Sequence, residues 1–150
     1  MNGFFIYFVK MGKYKRKIQL EMVELEEGSL HLLVDAGVPA HENCWWVVDT
    51  GASKSVIDKA VAPDLVGEES AGSKATGLGK ELVETSMGRI DQFILGGYLF
   101  EALQVAIVDL HHINEEYARY SDKKIIGLLG SDFFYREKAM IDYAKRTIFL

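Results

Sequence analysis

Five bulky apolar residues, Cys44-Trp45-Trp46-Val47-Val48, run without a break into Asp49-Thr50-Gly51-Ala52-Ser53. A continuous apolar run of this length marks a strand buried on both faces, so the chain must lay other elements over both sides of it. The run then ends in a carboxylate followed by small or hydroxylated residues. Asp and Gly are common turn formers, and a simple strand-ending turn is the bland explanation. The chain carries its own control. Val34-Asp35-Ala36-Gly37 has the same apolar-Asp-small-Gly shape without hydroxyl residues, and it reads as a turn only. Asp-Thr-Gly followed by Ala or Ser arises from composition alone in roughly one chain of this length in a few hundred.

The remaining pattern is that of a β-rich chain. Ile18 to Leu25 alternates as a half-buried strand ending at Glu26-Glu27-Gly28, and Ser29 to Val34 reads as a second. Val56 to Ala62 reads as a short helix stopped near Pro63. Glu81 to Met87, Ile90 to Leu95 and Phe100 to Val108 read as strands, with Gly88-Arg89 and Gly96-Gly97 at turns. Within the charged stretch 109–124, Asn114 is placed to cap a short helix with Ile113, Tyr117 and Tyr120 on one side. Ile125 to Gly130 reads as a buried strand, and Ser131 as the cap of a short helix over Asp132 to Glu137. Ala139–Tyr143 and Thr147–Leu150 close the chain as a hairpin. This order predicts an all-β fold with short helices, a small closed barrel or folded-over sheet.

At 150 residues the chain fits one domain, expected over 17–150, with 1–16 as an N-terminal extension. Phe4 to Val9 is too short to span a bilayer and precedes its basic residues, the reverse of a signal peptide. Either Met11 is the true start, or Phe4–Val9 is an edge strand that pairs with something. A net charge of -5 without a basic stripe argues against nucleic acid as partner. The single cysteine, Cys44, excludes an internal disulfide and suits a reducing, cytoplasmic compartment.

"VVDTGAS" resembles the active-site loop of the aspartic proteases, specifically the single-domain, retropepsin-like branch. A second element agrees with it. "IIGLLGSDFF", Ile125 to Phe134, resembles the apolar-apolar-Gly scaffold that precedes a short helix and a terminal hairpin in that family, and it follows Asp49 by some 75 residues. The resemblance spans about Lys17 to Leu150. It implies the small barrel-like acid-protease fold, Asp49, Thr50 and Gly51 as the catalytic loop, and Ala52, Ser53, Leu128, Leu129 and Gly130 as its support. It also implies a substrate-covering flap at Thr76-Gly77-Leu78-Gly79. Ser53 departs from the retroviral enzymes, which carry Asp there, and agrees with pepsin-like and many cellular relatives. By the same resemblance, Thr50 bonds across paired loops, and Ser53 bonds the neighbouring carboxylate.

Amide hydrolysis by this route needs two carboxylates sharing one proton, because two like charges about 3 Å apart cannot both ionise. Asp-Thr-Gly occurs once, whereas bilobed family members carry two copies on a chain about twice as long. Asp35 lacks the flanking chemistry, and Asp132 stands where the family places a helix residue. A C2 homodimer that brings two copies of Asp49 to the axis is the simpler solution. Thr147–Leu150 and Phe4–Val9 are then candidates for the interface sheet. The implied activity is an aspartic endopeptidase acting on peptide or protein, without cofactor or metal. The alternative is a dimeric peptide-binding module that kept the fold and lost the chemistry, motivated by a flap tip without an aromatic or β-branched residue.

Other signals are weaker. His111, His112, Glu115 and Glu116 match no metal motif and read as a solvated surface. Trp45 and Trp46 must face opposite sides of a strand, one as core and the other free to line a pocket or interface. "TGLGK" lacks the full spacing of a phosphate-binding loop.

Overall fold

The computed structural model describes residues 14–38, 41–67 and 86–150, which leaves the expected flap at Thr76–Gly79 and the segment Phe4–Val9 outside the described residues. The described strands are β1 (Lys17–Gln19), β2 (Glu21–Glu24), β3 (Leu30–Asp35), β4 (Cys44–Val48), β5 (Val56–Asp58), β6 (Ser86–Ile90), β7 (Phe93–Leu95), β8 (Tyr98–Phe100), β9 (Leu103–Val108), β10 (Lys124–Leu129), β11 (Met140–Asp142) and β12 (Thr147–Phe149). The described helices are α1 (Ala62–Leu65), α2 (His111–Ala118) and α3 (Ser131–Arg136). The all-β expectation with short helices holds. No described helix is long and apolar enough to cross a membrane.

A seven-stranded mixed sheet runs in the order β2-β3-β4-β10-β5-β9-β6, beside a three-stranded sheet β1-β12-β11 and the hairpin β7-β8. Ring closure of the large sheet is not among the described pairings. The apolar run that opens the site is its central strand. β4 lies between antiparallel β3 and parallel β10, so its backbone is paired on both edges and its side chains are covered on both faces. Trp46 packs into the larger core with Phe93 edge-on at 5.6 Å. Trp45 packs into a second cluster on the opposite face, with Lys123 over its ring at 3.8 Å. Both tryptophans are therefore core residues. Each removes roughly 4–6 kcal/mol worth of apolar surface from water, an upper estimate.

Several boundaries differ from the sequence reading, for non-local reasons. The strand expected over Ile18–Leu25 divides at Leu20, whose N–H donates to the Arg146 carbonyl, and β1 and β2 enter different sheets. The helix expected over Val56–Ala62 is strand β5, drawn in by β10 on one side and β9 on the other. Pro63 lies in the first turn of α1 rather than stopping a helix, as suits a residue without an N–H. Gly88 lies within β6, where a side chain would press into Val66, and not at a turn. Gly96-Gly97 is a turn, with φ of 54° and 82°.

Candidate active site

Asp49 follows β4 directly and is held there by its own backbone, whose N–H donates to the Leu129 carbonyl at 2.9 Å. Parallel pairing of Val48 with Leu129 sets the ends of β4 and β10 side by side, so Asp49 stands next to Gly130. The Asp49 carboxylate is half-buried. Its Oδ1 accepts the N–H of Gly51 at 3.1 Å and of Ala52 at 3.3 Å. Those two bonds curl the loop around the acid and fix one oxygen. Among the described residues the Asp35 carboxylate accepts the N–H of Gly37, at 2.7 Å, and closes a turn with it, as its flanking residues imply.

The scaffold residues meet this loop. Leu129 and Gly130 are buried and Leu128 is half-buried, while Thr50, Gly51 and Ser53 are exposed at the surface the loop presents. Close backbone approach explains two glycines. A methyl at Gly130 would come within 2.8 Å of the Ala52 carbonyl oxygen, and one at Gly127 would overlap the Trp46 ring. At Gly51 it would make an ordinary 3.4 Å contact with Asp49 Oδ1, so packing within one chain does not demand glycine there.

A pair of residues overlooked as site components locks the loop to α3. Ser55 is fully buried, and its N–H and hydroxyl both donate to the Asp132 carboxylate, at 3.0 and 2.7 Å. Ser55 Oγ in turn accepts the N–H of Gly130 at 3.0 Å, and the Ser131 N–H donates to the Ala52 carbonyl at 2.7 Å. The expected Ser131 cap is therefore corrected. Gly130 occupies the cap position, Ser131 begins the helix, and no side-chain cap bond forms. Asp132 bonds across 77 residues of sequence instead, a distance at which no local pattern announces a partner.

Asn114 likewise does not cap α2. It lies within the helix and clasps β10, donating to the Ile125 carbonyl and accepting its N–H, both at 2.8 Å. His111 and His112 each lie 3.3 Å from Glu115 on the helix surface. On the other side of α2, Tyr117 is buried and its hydroxyl lies 2.6 Å from His31 Nδ1. Burial pushes the Tyr117 phenol up to about 12. Leu25, Ile113, Glu116 and Tyr117 join Val47, Leu128 and Asp49 around a cavity of about 300 Å³. A larger cavity, about 650 Å³, opens at the opposite ends of β5 and β10, beside Asp58 and Lys124 and away from Asp49.

A family model described as aspartyl protease matches residues 34–133. Among solved structures, a retropepsin-like aspartic protease from Rickettsia conorii is similar at 17% identity and a TM-score of 0.53, with 92% of this chain and 94% of that one covered. The retroviral protease-like domain of Ddi1 from Leishmania major is similar at 18% identity and a TM-score of 0.45, covering 89% and 95%. No curated protein sequence matches the chain.

Proposed function

Because the chain belongs to the aspartyl protease family, we propose that it is an endopeptidase working as a C2 homodimer, with Asp49 of each copy forming the acid–base pair. Residues 17–150 make up the working domain, and peptide or protein is the substrate. The observation that carries this reading is the placement of Asp49: at the head of a buried strand, side by side with Gly130, with one carboxylate oxygen already held by two backbone N–H groups. A carboxylate held this firmly needs little reorganisation when charge moves during reaction.

Within the dimer the two carboxylates share one proton and titrate as a unit. The ionised member takes a proton from the water between them, and the water oxygen attacks the scissile carbonyl carbon. The protonated member donates to the carbonyl oxygen, giving a tetrahedral diol. Collapse returns the carbonyl, breaks the C–N bond and sends a proton to the leaving amine. Thr50 and Ser53 brace the pair of loops, and Gly51 and Ala52 leave room for the peptide. The family resemblance assigns the flap to Thr76–Gly79, outside the described residues. The buried free thiol of Cys44 supports a reducing, cytoplasmic setting.

Replacing Asp49 with Asn keeps size and the acceptor oxygen but removes the acid. Asp49→Asn is expected to stay folded and dimeric while peptide cleavage falls at least about a thousandfold. Cleavage unchanged in that variant would overturn the reading.

A further inference from the structure

Among the described residues, the titratable groups lining the cavity of about 300 Å³ are His31 on β3, Asp49 after β4, and Glu116 and Tyr117 on α2. Strand register brings His31 there. Along antiparallel β3 and β4, Asp35 pairs with Trp45 and Leu33 with Val47. Carried two residues further, the same register sets His31 opposite Asp49, and side chains two apart on a strand share a face. Both line the one cavity accordingly. Directly opposed residues in such a ladder have Cβ atoms about 4.5–5.5 Å apart. On the other edge of β3, His31 pairs with Val23 of β2, which is apolar.

Tyr117 holds the imidazole from the helix side. Its ring is 2% exposed, its hydroxyl lies 2.6 Å from His31 Nδ1, and the two rings meet edge-on at 5.6 Å. His31 Nε2 lies 3.5 Å from Ser29 Oγ. Because burial pushes the phenol up to about 12, it keeps its proton across the acid and neutral range. The hydroxyl therefore donates to a neutral ring and accepts from a protonated one, so the imidazole is held in either charge state. Glu116, the other acid at the cavity, has Arg119 paired to it at 3.3 Å.

Resting on the peptidase reading above, we propose that His31 is a positioning residue for the Asp49 pair, setting a switchable positive charge across from each carboxylate and so extending cleavage to lower pH. The pair works while it holds one proton and stops when it takes a second. In acid an imidazole is a cation, and a cation facing the pair opposes that second proton. Each copy supplies its own His31, so both carboxylates gain the effect.

The test has one readout that needs no activity and one that does, both on the full-length protein. First, the histidine ring signals are titrated by proton NMR in the wild type and in Asp49→Asn. Removing the facing carboxylate should move the His31 midpoint down by about half a pH unit or more, while His41, His111 and His112 stay. Second, cleavage of one peptide is followed against pH. His31→Gln should move the acid limb up by about half a unit or more, and His31→Lys, which restores a cation, should bring it back. A His31 midpoint that ignores Asp49→Asn, or an acid limb that His31→Gln leaves in place, would overturn the proposal. A limb moved by Gln and not restored by Lys would mark a structural effect and overturn it equally. If the midpoint moves but the wild type cuts no peptide, the coupling stands and the peptidase reading fails. If peptides are cut and neither midpoint nor limb moves, the reading stands and the role of His31 fails.

Discussion

Ser55 sits fully buried behind the Asp49 loop, and leaving its N–H and hydroxyl without partners would cost about 1–3 kcal/mol each. Asp132 accepts both, and Lys54 Nζ lies 3.8 Å from the same carboxylate. Asp132→Ala is therefore expected to lower unfolding stability by about 3 kcal/mol in urea titration, with Asp132→Asn recovering part of the loss. A loss under about 0.5 kcal/mol would mean that the bridge is incidental. A second residue-level consequence concerns alkaline pH. The native Tyr117 phenol keeps its proton up to about 12, whereas the unfolded chain releases it near 10. Stability from this source is fully present below pH 10 and is lost as pH rises towards 12, by about 2–3 kcal/mol. Urea midpoints of the wild type and Tyr117→Phe, compared across pH 9 to 12, should converge over that window. A constant difference would contradict the assignment. Neither residue's role was readable in the sequence. Asp132 looked like part of a helix start, and Tyr117 like one of three residues on a helix face, because each finds its partner far away in the chain, at Ser55 and at His31.

Among the elements, α2 depends most on a single side chain. Asn114 satisfies both backbone groups of Ile125, on a six-residue strand that also carries Leu128, Leu129 and the glycine contacts of the loop. Asn114→Ala should cost about 2–4 kcal/mol and loosen α2 first. Hydrogen exchange at the Ile125 amide should accelerate before that of Val47. Equal acceleration across both strands would show that the helix is not held independently. Elements whose character is local were legible. Strand β4 appears in the sequence with its final bounds, and the β11–β12 hairpin and the Gly96-Gly97 turn also announce themselves, through turn residues and apolar runs. Elements decided by a partner were not. Val56-Ile57-Asp58 offers three residues of weak pattern and becomes a strand because β9 and β10 flank it. Gly88 looks like a turn until Val66 is seen against it.

On the scale of the whole molecule, β12 has a neighbour on each side, β1 and β11, so its own edges are already used within the chain. A partner strand that joins this sheet would add at an outer edge, beside β1 or β11, which keeps Thr147–Leu150 a proposed part of the interface sheet as an inner strand. Tyr143, 62% exposed beside β11, and Tyr135, 88% exposed on α3, offer apolar surface for such a contact. The account requires that a second copy complete the site, and subunit mixing tests this most directly. Wild-type and Asp49→Asn chains are unfolded together in equal amounts, refolded, and assayed on a peptide that the wild type cuts. If each site needs an acid from both copies, only wild-type homodimers are active, and activity falls to about a quarter of that of the same total amount of wild-type protein. Activity of about one half would mean that one chain suffices, and would contradict a pair formed across the twofold axis.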